Sequence, residues 1–351
     1  MSKLIETICL ARKIKSEQGI GFFTQFSEII YLYVCRGLGP LLYFEASLWR
    51  RDIPLSAKKR FMNASQYNAR IDQLNPKEYR KFAQHKLAEK SLLTLMGFPT
   101  ATFIGFYHEG GGSDSNGEAL NNLTCLENLL ISCRSSVVCF KMAEGWGGMG
   151  FVAAKLIQKP SQLELKNLAG NGPSLPFVDF FYKYLQENTC DGLLIEEYIY
   201  QHEVLANFHP SSLNTLRIWV IQRGAGAEVL GAVLKIGRDN QVIDNSIQGG
   251  LTANVCLSTA ELEDLMDTGV NRTCYQVHPN TNCLIKGVRL PHWEACLDLS
   301  KRVLMAFPGI KFVGLDMAIG PNGPVIVELN PEPDRKSARN FGEPLADLLR
   351  D

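Results

Sequence analysis

Over residues 1–75 apolar positions recur every three to four residues, with few turn signals before Pro40. That spacing lines apolar side chains along one helix face, so the pattern predicts a helical N-terminal region. The helical period returns in "LNPKEYRKFAQHKLAEKSLLTLMGF", which predicts a loop and then one helix from about Pro76 to Met96. Asn75 is the candidate cap, and proline suits a first helical position that needs no N–H. Further on, "PTATFIGFY", "SSVVCFK", "FVAAKLIQ" and "GLLIEEYIYQ" read as strands, and "FVDFFYKYLQE" as a helix. "HEGGGSDSNGEALNN" has the composition of a surface loop. "NTLRIWVIQR" and "AEVLGAVLKIG" read as an antiparallel pair around Gly224-Ala225-Gly226. "WEACLDLSKRVLMAF" is an amphipathic helix, and "EPLADLLRD" a short terminal one. The fold class is α+β with antiparallel hairpins, without the β-α-β alternation of a doubly wound sheet.

A last hairpin, "FVGLDMAIGPNGPVIVELN" from Phe312 to Asn330, breaks the apolar pattern with Asp316, Glu328 and Asn330. Alternation puts Val313, Leu315, Met317 and Ile319 on one face of its first strand and Asp316 on the other. In the second strand Val325, Val327 and Leu329 share a face, and Ile326, Glu328 and Asn330 the opposite one. A two-residue Asn322-Gly323 loop would set Asp316 against Leu329. A three-residue loop, Pro321-Asn322-Gly323, sets it against Glu328. Proline second and glycine fourth favour the latter, a type I turn followed by a left-handed Gly323. The three oxygen-bearing side chains then meet on one face, where burial without a partner is costly. A hard divalent cation such as Mg²⁺ suits such oxygen ligands.

Gly145-Trp146-Gly147-Gly148-Met149-Gly150 fits G-x-G-x-x-G. A dinucleotide fingerprint would open a helix, whereas "FVAAKLI" has strand character. Protein kinases would need H-R-D and D-F-G downstream, and neither string occurs. A glycine hairpin around Gly147 and Gly148 can still cover phosphates with its backbone N–H groups, and Lys141 adds positive charge.

Composition narrows the classes. The 351 residues carry 36 basic and 36 acidic side chains, without the electrostatic footprint of a nucleic-acid binder. Ten cysteines show neither C-x-x-C nor metal spacing, as expected of reduced thiols in the cytoplasm. The N-terminus lacks the apolar run of a signal peptide. No uncharged run reaches the ~18 residues of a spanning helix. "IIYLYVCRGLGPLLYF", broken by Arg36 and Pro40, leaves room for a peripheral membrane contact.

Four motifs stand in order: "HKLAEKSLLTLMGFPTATFIG", "VVCFKMAEGWGGMG", "IEEYIYQHEV" with the pattern E-x-x-φ-x-x-x-E, and Asp316 followed by the E-φ-N of Glu328 to Asn330. Over roughly residues 75–335 the chain thereby resembles the ATP-grasp superfamily. "HPSSLNTLRIW" and "KIGRDNQVIDNSIQGG" make it most similar to the sugar-transfer-associated branch, related to α-L-glutamate ligases. The resemblance implies two α+β subdomains gripping ATP: a lobe over 76–205 with glycine loop and hinge, and a lobe over 206–351 with the metal site. Residues 1–75 form a helical extension that shapes the acceptor pocket or a homodimer contact.

It also implies roles. Lys86 and Lys141 contact ATP phosphates, with Lys90 one turn further along the same helix as Lys86. Glu196 accepts from the adenine amino group, the Ile199 N–H bonds the ring, and Glu203 holds the ribose hydroxyls. Arg217 and Lys235 are the catalytic cations beside the transferring phosphoryl group. Lys235 stands where the family has arginine, which keeps the charge and loses the fork; Arg238 is the candidate substitute. Asn214 and His209 orient the substrate, and Asp244 to Gly250 form a substrate-side loop. Asp316, Glu328 and Asn330 hold one or two Mg²⁺ ions. The implied activity is an ADP-forming ligation of a small carboxylic acid to an amine through an acyl phosphate, in glycan, peptide or natural-product biosynthesis. The alternatives are a small-molecule kinase and a non-catalytic nucleotide-binding partner.

Overall fold

The computed structural model describes residues 3–145, 147–170, 172–239, 249–270 and 272–350. The chain opens with α1 (Lys3–Gln18), α2 (Phe22–Arg36), α3 (Pro40–Glu45), α4 (Leu55–Lys58) and α5 (Ala64–Leu74). Gly37 ends α2 at φ 67°, donating to the Tyr33 carbonyl at 2.8 Å, which is the left-handed cap only glycine adopts freely. Leu10, Ile14, Ile29, Leu32, Tyr43 and Leu48 share one core among these helices. Buried Lys58 is neutralised within it by Glu28, at 3.0 Å.

The single helix expected over 76–96 is instead α6 (Lys77–Arg80), a 3₁₀ turn (Lys81–Gln84) and α7 (Lys86–Leu95), parted by an extended His85. Tertiary partners decide the break. Lys86 N–H donates to Ala143 O at 2.8 Å, across the chain. Nor does Asn75 cap this helix. Its carboxamide accepts from the N–H groups of Lys311 and Phe312 and donates to the carbonyls of Phe312 and Pro331.

The next elements are β1 (Phe103–Tyr107), β2 (Ser113–Asp114), α8 (Leu123–Ser132), β3 (Val137–Met142), β4 (Val152–Gln158), β5 (Leu163–Asn167), β6 (Leu175–Pro176), α9 (Phe177–Tyr184) and β7 (Leu193–Glu197). Their strands form an antiparallel sheet in the order β2-β1-β7-β3-β4-β5-β6. Leu126 and Leu130 of α8 and Phe180 of α9 pack on Val138, Phe140 and Ile195. Then come α10 (Glu203–Phe208), β8 (Thr215–Arg223), β9 (Gly226–Ile236), β10 (Leu251–Val255), β11 (Leu262–Asp267), β12 (Cys274–Tyr275), α11 (Trp293–Met305), β13 (Phe312–Gly320), β14 (Gly323–Asn330) and α12 (Leu345–Leu348). The second sheet has the order β12-β11-β10-β9-β8-β13-β14.

Alternation along β8 serves two cores. Leu216, Ile218 and Val220 pack with Leu299 and Val303 of α11, while Trp219 and Ile221 pack with Tyr67 and Ile71 of α5 and with Leu348. The two sheets are joined where the Ile326 N–H donates to Pro99 O (2.8 Å) and the His202 N–H to Ile319 O (2.7 Å).

The last hairpin corrects the expected turn. Gly320 pairs with Gly323, so the loop is the two residues Pro321-Asn322. Asp316 still lies opposite Glu328, because the register shifts between Asp316 and Met317 and leaves Val327 as an extra residue on β14. One extra residue flips every side chain beyond it. Ile326 therefore joins Met317 in the core and does not share the face of Glu328 and Asn330, and Leu329 is buried with it.

Candidate active site

Between the sheets lies a cleft of about 650 Å³, walled by the start of α7, the glycine loop and β7 on one side and by β8, β9, β13 and β14 on the other. Its lining holds five basic and six acidic side chains among the described residues.

On the first wall, β3 and β7 are antiparallel neighbours, with Cys139 opposite Glu196, so Lys141 stands diagonal to that carboxylate. Glu196 is 2% exposed. It pairs with Lys141 Nζ at 2.5 Å and with Lys90 from α7. Burial alone would raise its pKa, but Lys141 and then Lys90 outweigh burial and hold Glu196 below the usual carboxylate range. Burial opposes the charge on Lys141 too, and Glu196 overcomes it, so this lysine titrates above the usual range. Lys90, with burial dominant, is pushed down. Glu196, expected at the adenine amino group, lines the cleft and has its two oxygens on Lys90 and Lys141. Lys90 was legible as one turn beyond Lys86, but its partner was not.

The chain leaves β7 through Tyr198 and Ile199, both lining the cleft. The Ile199 N–H makes no hydrogen bond among the described residues. Glu203 is exposed at the start of α10, outside the cleft lining. Gly147 and Gly148 line the cleft with φ of 65° and 74°, values that strain any side-chain-bearing residue. Trp146, between Gly145 and Gly147, lies outside the described residues. Lys86 spans both walls: its Nζ donates to Gly145 O at 3.0 Å and to Glu328 Oε1 at 2.9 Å.

On the second wall, Asp316 is flanked by β8 and β14. Arg217 grips it with a fork, Nη2 lying 2.7 Å from Oδ2 and Nε meeting Oδ1, and Lys235 Nζ lies 3.0 Å from Oδ2. Burial would raise the Asp316 pKa, but Arg217 and then Lys235 drive it far below the usual carboxylate range. Beside them the Asn330 amide nitrogen is buried without a hydrogen-bond partner among the described residues. No group of three or more His, Cys, Asp or Glu among those residues is placed to hold a metal.

Glu89 escaped the sequence reading. One residue before Lys90 on α7, it is buried, accepts from the Leu329 N–H at 2.8 Å, and leaves its other oxygen unpartnered. Burial, and then the charge of Glu328, push its pKa up to about 8. Arg339 was missed as well. It lines the cleft and donates to the carbonyls of Thr268 (2.5 Å) and Gly269 (3.2 Å).

The expected substrate residues lie elsewhere. Asn214 and His209 are buried off the cleft and satisfied internally. Asn214 donates to Gln201 Oε1 and to the carbonyls of Leu205 and His209, and accepts from Ser212 and the Gly237 N–H. His209 contacts Ser212 Oγ (2.8 Å) and Asp239 O (3.0 Å). They shape the turn between α10 and β8. Arg238 points to Asp239, 3.4 Å away, and does not line the cleft. Residues 244–248 of the expected substrate loop lie outside the described residues.

Two antiparallel sheets with a glycine loop and paired lysines on one wall, and an acidic hairpin with basic neighbours on the other, define the ATP-grasp class. Residues 65–339 match the sugar-transfer associated ATP-grasp family, and the chain belongs to that family. Among solved structures it is similar to D-alanyl-alanine synthetase A from Vibrio cholerae, at 9% identity over 78% of this chain and 65% of that one, with a TM-score of 0.46. It is also similar to N5-carboxyaminoimidazole synthase from Aspergillus clavatus in complex with ADP and 5-aminoimidazole ribonucleotide, at 10% identity over 81% of this chain and 59% of that one, with a TM-score of 0.42. An ADP complex of N5-carboxyaminoimidazole ribonucleotide synthetase matches at 13% identity over 73% and 46%, with a TM-score of 0.41. The chain thus spans about half to two thirds of the length of these structures. No curated protein matches it.

Proposed function

We propose that the protein is an ATP- and Mg²⁺-dependent ligase that joins a small carboxylic acid to an amine through an acyl phosphate, releasing ADP and phosphate. The observation that carries this reading is Lys86, which ties the glycine loop to the acidic hairpin across one cleft. A cation in that position can contact a polyphosphate lying between the two. We take residues 76–205 and 206–351 as the gripping lobes.

Lys141 and Lys86 would bind phosphate oxygens, and the Ile199 N–H would meet the adenine ring. Arg217 and Lys235, already fixed on Asp316, would stabilise charge on the transferring phosphoryl group without reorganising. The acid's carboxylate oxygen attacks the γ-phosphorus as the bond to the β-phosphate bridging oxygen breaks. The amine nitrogen then attacks the acyl carbon, the carbon–oxygen bond to phosphate breaks, and the amine proton leaves with phosphate. Gly147 and Gly148 would close over the site and exclude water, which would otherwise hydrolyse the acyl phosphate.

The residues fit a magnesium ion. Six acidic side chains already balance five basic ones in the lining, so a polyphosphate needs added positive charge. Asp316, Glu328 and Asn330 offer hard oxygen donors, and the unpartnered amide of Asn330 can turn its oxygen inward. Magnesium there would neutralise phosphate charge. The test is product analysis with pools of acids and amines. ADP release that needs both substrates is the expected result; a stable phosphorylated product from one substrate would mean a kinase.

A further inference from the structure

Helix α2 presents two apolar faces where a surface helix normally presents one. Gln25, Ile29 and Leu32 are buried against its neighbours. The Gln25 amide donates to Ala11 O (3.1 Å) and Ile20 O (2.7 Å), which fixes the rotation of the helix. On the opposite face Phe23, Ile30 and Val34, at i, i+7 and i+11, are 88%, 62% and 78% exposed. Tyr31 and Tyr33 flank them, also exposed. Exposed Ser27 stands between Phe23 and Ile30 on this stripe, and clustered exposed apolar side chains of this kind mark an interaction site.

Charge identifies the occupant. Residues 1–62 hold ten Lys and Arg against five Asp and Glu, while the rest of the chain holds 26 against 31. Cations stand at both ends of the apolar face. Lys15 Nζ lies over the Phe22 ring and Lys59 Nζ over the Tyr31 ring, each at 4.8 Å, and Arg36 Nε donates to Lys59 O. We propose that this face of α2 docks on an anionic lipid bilayer, with Phe23, Ile30 and Val34 entering the headgroup–acyl boundary and Lys15, Arg36 and Lys59 meeting lipid phosphates. An apolar stripe, aromatic flanks and a basic rim are what an interfacial helix requires. A second copy of the chain fits less well, because pairing α2 with itself brings cationic ends together. No helix of the described residues is long and apolar enough to cross a membrane, so the contact is peripheral.

The test is flotation of the full chain with vesicles of phosphatidylcholine, with and without phosphatidylserine, at low and high salt. The protein should float with phosphatidylserine vesicles and be released by salt. The triple variant Phe23→Ser, Ile30→Ser, Val34→Ser should lose about tenfold or more in partitioning, with its circular-dichroism spectrum unchanged because all three side chains are solvent-exposed. Lys15→Gln with Lys59→Gln should weaken the phosphatidylserine dependence. No flotation, or flotation that the triple variant retains, would overturn the proposal. So would a concentration-dependent dimer abolished by the triple variant without any vesicle binding.

Discussion

Asp316 and Glu328 face each other across one strand pair but hold their charges differently. Asp316 is buried and held by Arg217 and Lys235, whereas Glu328 is partly exposed and pairs with Lys86. Asp316→Asn therefore leaves two cations without their carboxylate, and breaking such a buried group costs about 3–5 kcal/mol. Urea titration should show that loss alongside lost turnover. Glu328→Gln should abolish Mg²⁺-dependent turnover and change stability by less than about 1 kcal/mol, as for exposed pairs. Because the folded pKa of Asp316 is depressed, its stabilisation is present above its unfolded value and is lost as pH falls. Glu89 runs the other way. With a folded pKa of about 8 it keeps its proton where the unfolded chain has lost it. Stability then falls as pH rises from its unfolded value towards 8, by up to about 1.4 kcal/mol per pH unit. Glu89→Gln should remove that slope, as read from urea midpoints at pH 5 and pH 8. A variant that keeps the full slope would reject the assignment. The sequence marks all three as acids in helix or strand; which one is paired, exposed or protonated depends on residues far along the chain.

At the scale of elements, the β13–β14 hairpin shows what local patterning can and cannot specify. Turn chemistry locates the reversal at Pro321 to Gly323, and alternation correctly assigns Val313, Leu315, Met317 and Ile319 to the core. The bulge at Val327 is invisible to both, because an extra residue is stabilised by the packing of Ile326 and Leu329 and not by its own type. Gly323 has φ 133° with open space around a Cβ, so Gly323→Ala meets backbone strain alone. It should cost about 1–3 kcal/mol in thermal denaturation, whereas Asn322→Ala should stay within about 0.5 kcal/mol. The break at His85 teaches the same lesson. A continuous helical period ran through it, but the Lys86 N–H and the Asn75 side chain found partners just beyond the ends of β3 and β14.

At the scale of the molecule, Lys86 is a link between the two sheets, and a polyphosphate beneath it would strengthen that link. ATP with Mg²⁺ should raise the melting temperature, with stabilisation of about 2.7 kcal/mol at a hundred times Kd. Lys86→Ala should lose most of the shift, and chelation of Mg²⁺ should lower it in the parent protein. An equal shift in parent and variant would remove Lys86 from the phosphate site. The sequence by itself determined the α+β class, most strands and the family, because periodicity, turn residues and motif strings are local properties. Only the tertiary structure decided that Glu196 anchors two lysines, that Asn214 and His209 are internal braces, and that Glu89 stands behind Glu328. Those outcomes rest on contacts between groups as far as 240 positions apart, and on burial, which turns a weak exposed attraction into a strong one.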